Sequence, residues 1–598
     1  MTPLLGFSVA QTLSLGRGVD SLKLDRLRIT EGAGRDPNKM CLNGTRVSVL
    51  ERIHTWIQRG GDGSNARALL AIGQAGVGKS AVAHTIANEY FKSGRLGAMF
   101  CFSKDRGSAN VFRTIARNLA DIDPVYASEL SSFITSDAAT NASLQVQMDE
   151  VLLLPFKKHS LIGPIIIVLD ALDECADLDP LVKCLINNID SLPKNLRILM
   201  TSRPHEAKEL CALPWVKVLN LENEPASNND ILLYAQERLG PQIVKTIAQG
   251  PRDDPLTAIA VKSEGLFQYA SVVCNEIQTS YSYKQSSRRR ESPRQTFIRL
   301  VRDGKGGLDG LYSGILERLY PSTEANSEEL EDFRNVMCWI LAAQERLSHN
   351  TLIEFGQVLD GSDAYNDESY DRVSMTLRPL GALLSGTQDG SATVYPLHSS
   401  IRDYLTDTGR SDRFYIGSEV EQHLSLASIS LRLLVAPGRL RFNTAGLENS
   451  YLKNDEVPDF EARISAAIPA SVSYACTYWA THWRQSSRSS SLHDMLDDLG
   501  ALMNQKFLFW LEVLALRKEV NVAEDACQIL ILWLSVSCGL ANNSCRLLTF
   551  TGRQNLQYFQ LAETVLNYVC ALYTTMAMSL NWPHHICISL RCLRPLQF

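Results

Sequence analysis

Three short stretches of the chain carry residue types that can do chemistry. The first, GQAGVGKS (Gly73 to Ser80), is a G-x-x-x-x-G-K-[ST] loop without a mismatch. Glycines permit unusual dihedrals and close approach, so the backbone N–H groups of Gly73, Gln74, Ala75, Gly76, Val77 and Gly78 are expected to cradle phosphate oxygens. Lys79 is expected to reach the β/γ-phosphates and Ser80 to place its hydroxyl on Mg²⁺, with the positive end of the next helix behind them. The second stretch, PIIIVLDALDEC (Pro164 to Cys175), runs five apolar residues into Asp170, and Asp173 and Glu174 follow. Asp170 suits a hard cation, bound directly or through water. Asp173 or Glu174 can polarise a water for attack on a γ-phosphate. The third, LRILMTSRP (Leu196 to Pro204), is an apolar run that delivers Thr201, Ser202 and Arg203 beside Asp170. Arg203 can make bidentate contacts to γ-phosphate charge.

Those residues need strands to deliver them. Ala68 to Ile72 is a short apolar run of buried-strand type just before the loop. After it, Val82, Ala83, Ile86, Ala87, Tyr90 and Phe91 recur at helical spacing, Gly94 supplies a stop, and Gly97 to Phe102 reads as another strand. Strand, loop, helix and strand in succession predict a parallel sheet with flanking helices, Asp170 lying at a strand's C-terminal end where ligands of such sheets bind. The expected organisation is a loosely ordered leader over 1–40, an entry segment and helix over 41–66, and the nucleotide core over 67–222. A helical domain over 223–325 follows, then a winged-helix domain over 326–410. A further helical domain over 411–530 and an atypical helical tail over 531–598 complete it. The winged helix rests on two helices broken near Arg346 and a hairpin through Asp389-Gly390. The basic run Lys284 to Gln295 and the Ser/Arg-rich run Arg484 to Ser491 read as solvated loops.

Composition narrows the class. A chain of 598 residues with 45% hydrophobic and 21% charged residues is an ordinary multidomain globular protein. A net charge of −6 gives no general attraction to nucleic acid. Fourteen cysteines without a C-x-x-C pair point to reduced thiols in a cytosolic or nuclear compartment, and a cytoplasmic protein is expected. The greasy runs Ile529 to Leu540 and Val565 to Leu580 fall short of about 18 clean apolar residues, so buried helices rather than membrane spans are expected.

The form D-A-L-D-E closing an apolar strand resembles the NACHT group of signalling NTPases, within the STAND class that also includes NLR immune receptors. CLNGTR (Cys41 to Arg46) and Gly97 to Ala120 resemble its large fungal branch with a nephrocystin-like N-terminal NTPase domain. GLFQYAS (Gly265 to Ser271), LDGLYSGIL (Leu308 to Leu316), LHSSIRDYL (Leu397 to Leu405), YACTYWATHW (Tyr474 to Trp483) and FWLEVLAL (Phe509 to Leu516) resemble later landmarks in the same order. The resemblance implies an α/β P-loop NTPase core followed by helical, winged-helix and further all-α regions. It also implies ATP/ADP and Mg²⁺ as ligands, weak NTP hydrolysis that resets a switch, and self-association on activation. It implies that His398 touches the β-phosphate of bound ADP. Members usually carry propeller or other repeats after the helical region, whereas this sequence ends near a segment (Trp582 to Leu590) resembling the one before such repeats. The expectation is therefore a chain lacking them. Two other readings compete: a conventional P-loop ATPase with a substrate domain, and a truncated scaffold without activity.

Overall fold

The computed structural model describes residues 24, 27, 30, 32–59, 66–103, 107–134, 143–157, 163–175, 177–223, 227–250, 253–282, 291–322, 327–359, 367–387, 390–447, 457–486 and 495–537. Its contacts divide it into two compact units. The first holds Met1–Arg318 together with His398–Ile401, and the second holds Leu319–Leu397 with Arg402–Phe598.

The first unit is built on five parallel strands: β1 (Ala68–Ile72), β2 (Leu96–Cys101), β3 (Ile165–Asp170), β4 (Leu196–Ser202) and β5 (Val216–Asn220), in the spatial order β2-β3-β4-β1-β5. The apolar runs form strands because both faces are covered. Ile165, Ile167 and Leu169 enter one core with Phe100, Ile198 and Met200, while Ile166 and Val168 enter a second core with Leu69, Met99 and Leu199. Helix α1 (Val47–Arg59) and helix α2 (Lys79–Lys92), which follows the glycine loop, pack Ile53, Trp56, Val82 and Ile86 into that second core. Phe91, expected on the apolar face of α2, is instead 53% exposed, and the Arg35 guanidinium lies 3.8 Å from its ring centroid. Beyond β5 come α3 (Ser227–Ile247, broken at Gly240), α4 (Pro255–Lys262), α5 (Phe267–Ser282) and α6 (Gly307–Leu319).

Most of the span read as a leader lies outside the described residues, and the described part of it makes defined contacts. Leu24, Leu27 and Ala33 are buried in the first core, and the Cys101 N–H donates to the Ala33 carbonyl at 2.7 Å. One outward backbone group at the end of edge strand β2 is thereby paired.

The second unit is mainly helical. Helices α7 (Ser327–Ala342), α8 (His349–Leu359) and α9 (Asp367–Leu377) precede an antiparallel pair, β6 (Leu384–Ser385) with β7 (Tyr395–Pro396). The hairpin exists, with residues 386–394 between its strands. Thr393 bridges back to Ser348, and the Asn350 N–H donates to the Gly390 carbonyl, so the described part of the linker is tied to the start of α8 and the residue before it. Gln388 and Asp389 lie outside the described residues, as do most of the basic and Ser/Arg-rich runs and everything beyond 537. Later helices α10 (Glu419–Val435), α11 (Ala470–Gln485), α12 (Phe507–Leu516) and α13 (Asn521–Ser537) bury Trp479, Trp483 and Trp510 among them. Among the described residues one helical stretch, Leu496–Leu516, is long and apolar enough to cross a membrane by length and composition.

Candidate nucleotide site

At the C-terminal edge of the sheet, β4 lies between β1 and β3, so Thr201 to Arg203 emerge between the glycine loop and Asp170. In the loop, Gly76 (φ 88°) and Gly78 (φ 94°) take left-handed conformations that side-chain-bearing residues avoid. A Cβ on Gly76 would also come within 2.9 Å of Gln268. The loop's carbonyls are engaged by donors. Gly73 and Gln74 accept from the Lys79 ammonium (2.8 and 3.0 Å), Gly76 from the Gln268 N–H (3.1 Å) and Val77 from Arg46 Nη2 (2.7 Å). With those oxygens engaged, the loop offers an anion N–H donors and a cation rather than carbonyl lone pairs. A carboxylate already exploits this, since Glu222 Oε1 accepts the Gln74 N–H at 2.6 Å. Ser80 is the second residue of α2, at the helix's positive end.

Asp170 is 3% exposed, and its Oδ1 accepts the Thr201 hydroxyl proton at 2.5 Å. Thr201 Oγ1 in turn accepts the N–H of Ala171 (2.8 Å), which holds the left-handed turn (φ 61°) that aims Asp173 and Glu174 back at the sheet edge. These two acids have different surroundings. Asp173 Oδ2 pairs with Arg203 Nε at 2.9 Å, so burial raises its pKa while Lys79 and Arg203 oppose the rise. Burial, reinforced by the charge of Asp173, pushes Glu174 up to about 7 against a contrary hydrogen bond from Ser399. Burial likewise lowers the Lys79 ammonium, and Asp173 works against it.

The structure thus brings Lys79, Asp170, Asp173, Glu174 and Arg203 into one electrostatic cluster. Arg203, expected to face a phosphate, is held here by Asp173 and by Ser399 Oγ at 3.3 Å from Nη2. His398 belongs to the same compact unit. Its Nδ1 accepts the Ser400 N–H (3.1 Å), while Ser400 Oγ lies 2.7 Å from both that nitrogen and the Tyr312 hydroxyl. The imidazole is therefore oriented by its own chain, with Nε2 carrying the proton in the neutral ring.

Residues 44–203 match the family described as Nephrocystin 3, N-terminal. Over that span the chain is similar to a nephrocystin-like N-terminal domain. No curated protein matches the chain. The matched span runs from the entry segment through the loop and Asp170 to Arg203 itself.

Residue-type reasoning gave no role to several groups that shape this nephrocystin-like domain. Arg46 is 3% exposed in a left-handed conformation (φ 54°), its own N–H given to Asp230 (3.0 Å) and its guanidinium to the loop. Gln268 and Glu222 hold the loop from two further sides. The landmark strings CLNGTR and GLFQYAS were the only signals that could have flagged Arg46 and Gln268.

Proposed function

We propose that this chain is a nucleotide-dependent molecular switch, binding ATP or ADP with Mg²⁺ and hydrolysing ATP slowly to reset itself. The observation that carries the reading is the convergence of Lys79 and the glycine loop with Asp170, Asp173, Glu174 and Arg203 on one edge of a parallel sheet. Mg²⁺, when bound, would neutralise phosphate charge. Ser80 and Asp170 are the oxygen donors that fit it, Asp170 because its buried carboxylate is pre-oriented by Thr201. Lys79 binds and orients the phosphates, and the loop's N–H groups donate to their oxygens.

Between the acids, Glu174 is the better base for an attacking water. Its proton affinity lies near neutral pH, whereas Asp173 is committed to Arg203. Arg203 senses γ-phosphate charge by exchanging its present partners for phosphate oxygens. His398, oriented by Ser400, is the candidate contact to the diphosphate that favours a closed form, and loss of that contact would lead to self-association. The setting is cytoplasmic, and NLR-like signalling of the fungal non-self recognition type is the fitting role.

Lys79→Ala is the deciding variant. Calorimetry should show ATP and ADP affinity reduced by roughly 10- to 150-fold, the loss of a charge-assisted contact, with an unchanged circular dichroism spectrum. Equal affinity in parent and variant would end the reading. Rapid multiple turnover by the parent would instead favour a conventional ATPase.

A further inference from the structure

Beside the nucleotide site, on the side facing the leader, three side chains of different chemistry meet. His84 comes from α2, and Cys101 and Asp170 are register partners at the ends of β2 and β3. One ligand atom from each lies within 4.8 Å of the others, so a single ion seated among them can touch all three. His84 and Asp170 are buried, and Cys101 is half-buried, which marks the side of entry. We propose that His84, Cys101 and Asp170 form a site for a borderline-soft divalent transition-metal ion, Zn²⁺ above all.

The geometry suits that ion. Zn–S near 2.3 Å and Zn–N near 2.0 Å at a tetrahedral angle require an S–N separation of about 3.6 Å. The observed Cys101 Sγ–His84 Nε2 distance is 3.8 Å. Thiolate with imidazole selects zinc-like ions over Mg²⁺ and Ca²⁺, which want oxygen alone. Water supplies the fourth ligand of an open tetrahedral site.

One local contact opposes the ion. Without metal, His84 Nδ1 accepts the Asp36 N–H at 3.0 Å, which puts the ring proton on Nε2, while the Cys101 thiol faces the Gly34 carbonyl at 3.8 Å. Coordination through Nε2 moves that proton to Nδ1, releases the thiol proton to solvent, and leaves the Asp36 N–H to turn toward water. Net, one proton leaves per ion bound. One hydrogen bond is a small loss against three metal–ligand bonds that include a thiolate. Because Asp170 is shared, Zn²⁺ at this site would exclude Mg²⁺–nucleotide, making the cluster a metal-sensitive brake. That consequence, unlike the site itself, rests on the function proposed above.

Co²⁺ is the probe, since a thiolate ligand gives it a strong near-ultraviolet charge-transfer band. The full chain titrated with Co²⁺ should develop the band and lose it on addition of Zn²⁺. Cys101→Ser should abolish it, and His84→Gln should weaken Zn²⁺ binding by at least about tenfold, both with the parental circular dichroism spectrum. A parent without the band, or a band of equal intensity in Cys101→Ser, overturns the site. In a separate arm, Zn²⁺ should weaken Mg²⁺–ATP binding to the parent but not to Cys101→Ser; equal weakening of both overturns the brake. If the parent binds no ATP even without Zn²⁺, the nucleotide reading falls while the Co²⁺ spectrum still decides the metal.

Discussion

Glu174 has its chemistry set by burial rather than by residue type. Its carboxyl is raised to about 7 by desolvation and the neighbouring Asp173. A base must be ionised to act, so hydrolysis by the parent is expected to fall about tenfold per pH unit below 7 and to level off above it. Glu174→Gln should bind ATP normally and hydrolyse it roughly 100-fold more slowly, without that pH limb. Steady-state phosphate release across pH 5.5–8.5 checks both, and hydrolysis at the parental rate would move the base to another group. The same shift has a stability consequence. A carboxyl whose folded pKa lies above its unfolded one stabilises the protein fully only below the unfolded value, near 4.5, and that stability is lost as pH rises through about 7. Removing the charge should therefore raise stability at pH 8 by about 1–3 kcal/mol and leave it unchanged at pH 4. A urea titration at each pH reads the difference.

The glycine loop is held as an element, from outside itself. Arg46 at the start of α1, Gln268 in the first turn of α5 and Glu222 after β5 each fix a different backbone group of the loop. Arg46→Ala should therefore weaken ATP binding by roughly tenfold although Arg46 touches no phosphate, and should cost about 1–3 kcal/mol by leaving buried acceptors unmatched. Calorimetry alongside thermal unfolding tests this; unchanged affinity with lowered stability would make Arg46 structural only. The segment His398–Ile401 is a second such device, its imidazole oriented by Ser400 and Ser400 anchored on Tyr312. If His398 Nε2 donates to bound diphosphate, one hydrogen bond of about 1–3 kcal/mol is at stake. His398→Ala should then release ADP roughly 5- to 150-fold faster and, with ATP, elute as a larger species. Equal off-rates and equal mass by light scattering would leave His398 without a latch role.

At the scale of the whole molecule, the second unit has a polar chain inside its helical core. The Gln344 N–H donates to the Tyr474 hydroxyl at 3.1 Å, which directs the Tyr474 proton to His482 Nε2 at 2.8 Å. His482 then carries its proton on Nδ1 and gives it to His423 Nδ1, also at 2.8 Å. Adding a proton sets two donors face to face, and burial lowers both imidazoles, His423 to about 4 and His482 well below its usual value. Unfolded histidine titrates near 6.5, so stability is fully retained above that pH and is lost as pH falls from about 6.5 through 4. For His423 the loss is on the order of 3 kcal/mol. The urea midpoint should fall between pH 7.5 and 4.5, and His423→Gln should fall less; identical slopes would mean the pair is not the acid-sensitive element.

The local signals in this sequence were strong where physics is local. Ile165–Leu169 reads as a buried strand because a parallel strand needs apolar residues on both faces, and Gly76 and Gly78 read as a phosphate loop because left-handed backbone admits little else. From those two facts the order of strand, loop and helix and the placing of Asp170 and Arg203 at one sheet edge were legible in advance. What packing alone decided joins residues far apart in the chain. Arg46 reaches Val77, Gln268 reaches Gly76, and His84 meets Cys101 and Asp170. The division of labour between Asp173 and Glu174 was undecided in sequence, since adjacent acids look alike there. It appeared only when Arg203 paired with one and burial raised the other. The contacts of Ala33 and Asn350 had no local signal for the same reason: each satisfies a backbone group of a distant element, and no local pattern encodes a partner that the chain meets only after folding.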